Sequence, residues 1–269
     1  MSLSKHNNFF FFDSLEDIFT SITRYNLWLY LGIRDLSLEH ARASLGILWP
    51  MIGAFAWITI VYLFMGPSLS GGDINYLAYV SIGIVIYNFA SGILVGGVSC
   101  FFRYKGIILN IPNPLFIYPL RTLTKVSAGV FLQIIFIVIS LVLCDIKPQI
   151  EWFFIIPSLL CYFITGVFLI LIMGIIGVRV GDLRFMMQSI MRLLMFATPI
   201  FWYPAESGVR MVATVFNPLA HYISIIRNPL MGIPLDIFSI YVVLCCTLSS
   251  ILIGLILFRN SRNNIVRML

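Results

Sequence analysis

WFFIIPSLLCYFITGVFLILIMGIIGV, running from Trp152 to Val178, holds 27 residues and no charge. As an α-helix it rises about 1.5 Å per residue, to roughly 40 Å, and a bilayer core is about 30 Å thick. A buried strand would be far shorter, typically 4–8 residues. The stretch therefore reads as a membrane-crossing helix. Leu45–Gly66, Tyr76–Phe102, Val126–Cys144 and Ile237–Phe258 read the same way. Phe185–Tyr203 is the weakest span, because it carries Arg192 and Pro199. Hydrophobic residues make up 60% of the chain and charged residues 10%. A soluble domain needs more polar cover, with about 25% charge. A transmembrane barrel would show short alternating segments of about ten residues, and these runs are continuous. The expected fold class is an all-α polytopic membrane protein with six transmembrane helices.

Charge then sets the topology. Basic residues favour the cytoplasmic side of a bilayer. With the N-terminus inside, Lys5, Arg24, Arg34 and Arg42 are internal, as are Arg103, Lys105, Arg121 and Lys125 between spans two and three. Arg179, Arg184 and Arg192 join them, and so do Arg259, Arg262 and Arg267 in the tail. Only Lys147, Arg210 and Arg227 fall outside. The net charge of +6 thus anchors the chain beside anionic lipid rather than nucleic acid. Both termini are expected in the cytoplasm.

The chain divides into a cytoplasmic N-terminal segment (1–44), a six-span domain (45–258) and a basic tail (259–269). Residues 1–13 are polar and then Phe-rich, with Phe9 to Phe12. Ser14 and Asp17 match a capping box, and Leu15, Ile18, Phe19, Ile22, Tyr25 and Leu29 follow at helical spacing. This predicts an N-terminal amphipathic interfacial helix over Ser14–Tyr30. The segment 204–236 holds Pro204, Pro218, Pro229 and Pro234 between short apolar pieces. It predicts a re-entrant external hairpin between spans five and six, tolerated at membrane depth only where protein or a water-filled cavity surrounds it.

Enzymatic signatures are missing. No G-x-x-x-x-G-K-[ST], H-E-x-x-H, G-x-S-x-G or G-x-G-x-x-G is present. The five cysteines show no C-x-x-C spacing, so neither metal site nor disulfide framework is expected. Spans one, two, four and six bury no ionisable residue of the kind ion-coupled carriers use as relays. A conduit, a scaffold, or a permease powered by another subunit remains.

Four markers now carry a resemblance. They are Arg42-Ala43-Ser44-Leu45-Gly46-Ile47-Leu48-Trp49-Pro50, Arg103-Tyr104-Lys105-Gly106-Ile107-Ile108-Leu109-Asn110, Thr198-Pro199-Ile200-Phe201-Trp202, and Asn217-Pro218 with Arg227 and Gly232 beyond. In this order and six-span setting, the chain resembles the membrane (permease) subunit of an ABC-2 type polysaccharide exporter, the family that exports O-antigen, capsule or teichoic acid. Two positions depart from the family pattern: Glu39-His40 stand where Arg-Tyr is usual, and Gly181-Asp182 where Arg-Asp is usual.

The resemblance implies a homodimer in the bacterial inner membrane, two ATP-binding subunits, and no cofactor in this chain, with ATP and Mg in the partner. The substrate would be a lipid-linked glycan, most simply O-antigen on polyprenyl diphosphate. Capsule, teichoic acid, or a small lipid or drug are alternatives, and a membrane scaffold or enzyme is an alternative from another class. Arg103, Tyr104, Lys105 and Asn110 would couple to the ATPase. Trp49, Trp57, Tyr62, Tyr79, Tyr87, Phe201, Trp202 and Tyr203 are candidate channel aromatics, since sugar C–H faces pack on aromatic rings. Interfacial belts explain such residues equally well. Arg34 and Arg42 are candidates for the lipid diphosphate, with anchoring to anionic lipid as the alternative.

Overall fold

A computed structural model describes residues 14–69, 75–205 and 207–269. The Phe-rich stretch Phe9–Phe12, and Lys5 before it, lie outside the described residues, as does the loop at 70–74. The described residues are helical, with no strand among them. Twelve α-helices appear there. Residues 14–23 form α1. Then come α2 (Tyr25–Glu39), α3 (Trp49–Leu69), α4 (Asn75–Val98), α5 (Cys100–Arg103), α6 (Lys105–Asn110) and α7 (Ile117–Leu143). They are followed by α8 (Ile155–Arg179), α9 (Leu183–Ala197), α10 (Gly208–Val215), α11 (Pro218–Leu230) and α12 (Ile237–Met268). Five of these are long and apolar enough to cross a bilayer: α3, α4, α7, α8 and α12. The chain is a multi-pass α-helical membrane protein.

Helix α4 is the axis. It is mostly apolar and buried along its first half, as a helix enclosed by others is, and carries Asn88 and Ser91 further on. It touches α3, α7, α8, α9 and α11. Its partners' directions follow from paired residues. Ser81 bonds Ser140 and Asn88 bonds Gln133, so α7 runs antiparallel. Tyr162 reaches the Ile86 carbonyl, while Gly97 faces Ile170 and Gly177 faces Val98, so α8 runs parallel. Helix α12 follows α8, with Thr247 on Thr165 and Ser261 on Arg179.

Lipid gives no hydrophobic drive for helices to associate, so close backbone approach has to hold them. At the α4–α8 crossing it does. A Cβ on Gly97 would lie 3.0 Å from the Ile170 Cα, and one on Gly177 would collide with the Val98 carbonyl.

Three boundaries differ from the sequence reading. The amphipathic helix is not continuous over Ser14–Tyr30: it breaks at Arg24 (ψ 41°) and resumes as α2. Span three begins at Ile117 rather than Val126, so Arg121 and Lys125 sit on a helix and not in a loop. They can do so because Arg121 pairs with Asp35 and Lys125 with Glu39, both on α2. Each pair repeats at i, i+4 on its own helix, so two matched rungs fasten α2 to α7.

Span five departs most. Helix α9 stops at Ala197, because Thr198 turns extended (ψ 140°) ahead of Pro199. Its 15 residues reach only about 22 Å. The chain nonetheless finishes the crossing along α4. Tyr87 donates to the Met191 carbonyl, Tyr79 to Pro199 and Trp202, and Tyr76 to Phe201. This non-helical turn, Thr198–Trp202, therefore ends level with the start of α4.

Helices α10 and α11 meet at 86°. Both outer ends of this pair lie at the end of the bundle where α4 begins. Arg210 stands over the Trp202 ring, and Gly232 meets Gln149, just before α8. Their junction points inward, where Asn217 bonds Thr198. The pair is a re-entrant hairpin. At the opposite end of the bundle, Asp17 accepts from the Leu115 and Phe116 amides and from Arg262. The N-terminal helices, the 111–116 loop and the tail thus share one end, which also carries most of the cations and is called the basic end below.

Gly177→Leu should break the α4–α8 approach. Overpacking of this kind costs about 1–3 kcal/mol. Thermal unfolding of the purified protein in detergent should show a clear loss of stability, whereas Gly106→Ala, with open space around it, should not.

Candidate functional site: a cationic cleft

One stripe of α4 carries Asn88 and Ser91 with the small residues Gly92 and Gly96, and Ser99 follows just beyond its end. On α9, Arg184, Gln188 and Arg192 recur every four residues, so they share a face. The fold sets these two stripes beside Lys125 of α7 and Arg103 of α5. Together they enclose a cleft of about 610 Å³ at the basic end.

Arg103, Lys125, Arg184 and Arg192 are the cations on its wall, and Glu39 is the single carboxylate among the lining residues. Glu39 is paired to Lys125. Burial pushes the Glu39 carboxyl up, but the Lys125 ammonium outweighs it, and the carboxyl rests below its usual range. Arg103, Arg184 and Arg192 also face the cleft, and Glu39, already bonded to Lys125, is the one carboxylate set against them. Arginine is always charged and forks onto oxyanions in bidentate fashion. The cleft is built to take a multiply charged anion from the basic end.

Next to it lies the fastening of α2. Arg121 grips Asp35 through Nε and Nη2, both at 2.6 Å. Tyr104 donates to the same carboxylate at 2.6 Å, stacks on Tyr118, and lies under the Arg121 guanidinium at 4.2 Å. Burial raises the Asp35 carboxyl, while these hydrogen bonds lower it further, so the net direction is down. The Tyr104 hydroxyl is pushed up, by burial first and then by Asp35.

The structure separates the residues singled out by sequence. Of the coupling set, Arg103, Lys105 and Asn110 are exposed at the basic end, and Asn110 donates to the Gly106 carbonyl. Tyr104 is 3% exposed and its hydroxyl is committed to Asp35, so it braces the region and presents nothing outward. Arg34 and Arg42 are exposed at the same end but do not line the cleft.

Of the aromatics, Trp57, Tyr79, Phe201, Trp202 and Tyr203 gather at the far end, joined by Tyr76. Tyr79 and Tyr203 lie 4.5 Å apart, and Trp57 meets Phe201 edge-on. Tyr79 and Phe201 are buried within one chain: Tyr79 holds the turn that Phe201 belongs to, and neither forms an open wall. Tyr87 lines the cleft floor, while Tyr62 is half-buried and Trp49 exposed, both on α3.

Sequence reasoning treated Arg184 and Arg192 as topology markers and passed over Gln188. Their four-residue spacing was the available signal. Arg227 entered the sequence reading only as an external cation and as part of a marker. It is buried, donates to the Pro199 carbonyl at 2.8 Å and covers the Tyr79 ring at 3.7 Å.

No protein-family model matches the chain, and a search of curated proteins finds no match. Fold and site define its class: a multi-pass helical membrane protein with a cationic cleft at one end.

Breaking one side of the Asp35–Arg121 pair leaves a charge poorly compensated, typically at about 3–5 kcal/mol when buried. Asp35→Asn and Arg121→Ala should each lower stability on that order. The carboxyl is depressed in the fold, so its contribution is complete above the unfolded value of about 3.9 and fades as pH falls below it. Unfolding measured from pH 7 down to 3 should show this acid loss in the parent chain, and less of it in Asp35→Asn.

Proposed function

We propose that this chain is the permease half of an ATP-driven exporter that carries a lipid-linked polysaccharide across a bacterial inner membrane, working as a homodimer with two separate ATP-binding subunits. The observation that carries the proposal is the cleft: four cations against one carboxylate, at the end where basic residues concentrate. A diphosphate linking glycan to lipid is the anion that suits a wall carrying Arg103, Arg184 and Arg192.

The four sequence markers support the family, as do the exposed surface of Lys105–Asn110 as a docking point and the aromatic cluster opposite the cleft. In this reading the positive-inside rule sets both tails in the cytoplasm. The cleft receives the diphosphate there, and the aromatic end closes the path until the ATPases act. O-antigen is the substrate we favour, with capsule or teichoic acid requiring the same head-group chemistry.

The test is genetic and chemical. Loss of the chain should deplete surface glycan and cause lipid-linked glycan to accumulate inside the cell. Arg184→Gln with Arg192→Gln, at unchanged protein level, should reproduce that accumulation, and Arg→Lys at both positions should restore part of the export. Normal surface glycan without internal accumulation would refute the assignment.

A further inference from the structure

We propose that the groove between the re-entrant hairpin and α12 holds one acyl chain of an anionic membrane phospholipid, with its phosphate on Arg210. The inference stands whatever the chain transports. The cavity measures about 700 Å³ and is walled by α4, α8, α9, the hairpin and α12. Thr165 and Tyr222 lie at its base. Thr165 is ten residues into α8, about 15 Å along it, so the base reaches the middle of the hydrocarbon.

The hydroxyls and amide on the wall are already satisfied. Tyr162 donates to the Ile86 carbonyl, and Thr165 bonds both Tyr222 and Thr247. Asn217 donates to Thr198 and accepts from the Leu219 amide. Ser249 and Ser250 donate to the Cys246 and Thr247 carbonyls. A sugar in this groove would lose its hydration and gain few partners in return. Hydrocarbon needs none. The remaining wall is apolar, from Leu94 and Leu169 on one side to Val212, Phe216 and Ile253 on the other. Phe216 is 80% exposed, so the rim offers itself to lipid.

Charge selects the head group. Arg210 lies three residues before Ala213 of the groove wall, hence one turn nearer the membrane surface on the same face. Its guanidinium stands over the Trp202 ring at 5.9 Å. None of the α10 residues is fully buried. As an α-helix, α10 satisfies its own backbone hydrogen bonds, so its open side can rest against an acyl chain that offers none.

The experiment is native mass spectrometry of the purified full chain titrated with phosphatidylglycerol or phosphatidylcholine in detergent. The parent chain should retain one phosphatidylglycerol per chain, in preference to phosphatidylcholine. Ala213→Trp and Ser249→Trp fill the groove from opposite walls, and Ser249 is on the exposed side of α12, where a bulky residue leaves the helix core untouched. Each should weaken retention at least about tenfold. Arg210→Gln should abolish the preference between the two lipids while leaving binding itself. Unchanged retention in both Trp variants, or equal retention of the two lipids by the parent chain, would overturn the proposal. So would a second copy of the chain released by Ser249→Trp.

Discussion

Hydrocarbon offers no hydrogen bonds, so each backbone amide and carbonyl at membrane depth needs a partner inside the protein. A helix meets that demand by itself. The stretch Thr198–Trp202 does not, and much of the far end of this molecule exists to satisfy it. Tyr76, Tyr79 and Arg227 donate to the carbonyls of Phe201, Pro199 and Trp202. Each such carbonyl left bare would cost several kcal/mol. Gly83 keeps the space open: a Cβ there would press to 3.2 Å on Ile200 and approach Arg227. The hairpin is placed by the same need, since α11 delivers Arg227 and Asn217 holds Thr198. Remove the constraint, and neither the short α9 nor the re-entrant pair has a reason to look as it does.

The long spans were legible because hydropathy alone decides whether a run of twenty apolar residues enters a bilayer. What hydropathy misjudged was charge. Arg121 and Lys125 looked like loop residues, yet Asp35 and Glu39 neutralise them and the helix runs through. The matched four-residue spacings, 35/39 against 121/125, were visible, but nothing in one sequence pairs two helices 86 positions apart. Pro199 did mark a break within span five, and the break is real. That the remainder continues as a non-helical turn depends on tyrosines more than a hundred residues earlier.

The site was half legible. Arg184, Gln188 and Arg192 form a readable stripe, and Arg103 was singled out for a different role. The aromatics show the limit of composition. Tyr79 and Tyr87 are the residue type that could line a sugar path, but their hydroxyls are spent on backbone carbonyls. A sequence does not separate a ring that lines a channel from one whose hydroxyl holds a neighbouring backbone.

Helix α9 ties these features together. Only Met191 among its residues is buried, and its main packing is on α4. One face gives the cationic cleft two arginines, while Leu194 and Ala197 close one side of the apolar groove. The crossing of this segment is the central claim, and accessibility labelling tests it most directly. In a chain with its five native cysteines replaced, single cysteines at Arg184 and Ser207 are exposed to an impermeant thiol reagent added from either side of the membrane. The account predicts that position 184 reacts only from the side carrying the tails and position 207 only from the other. Reaction of both from one side would mean that span five does not cross, and the clamp built around it would lose its meaning.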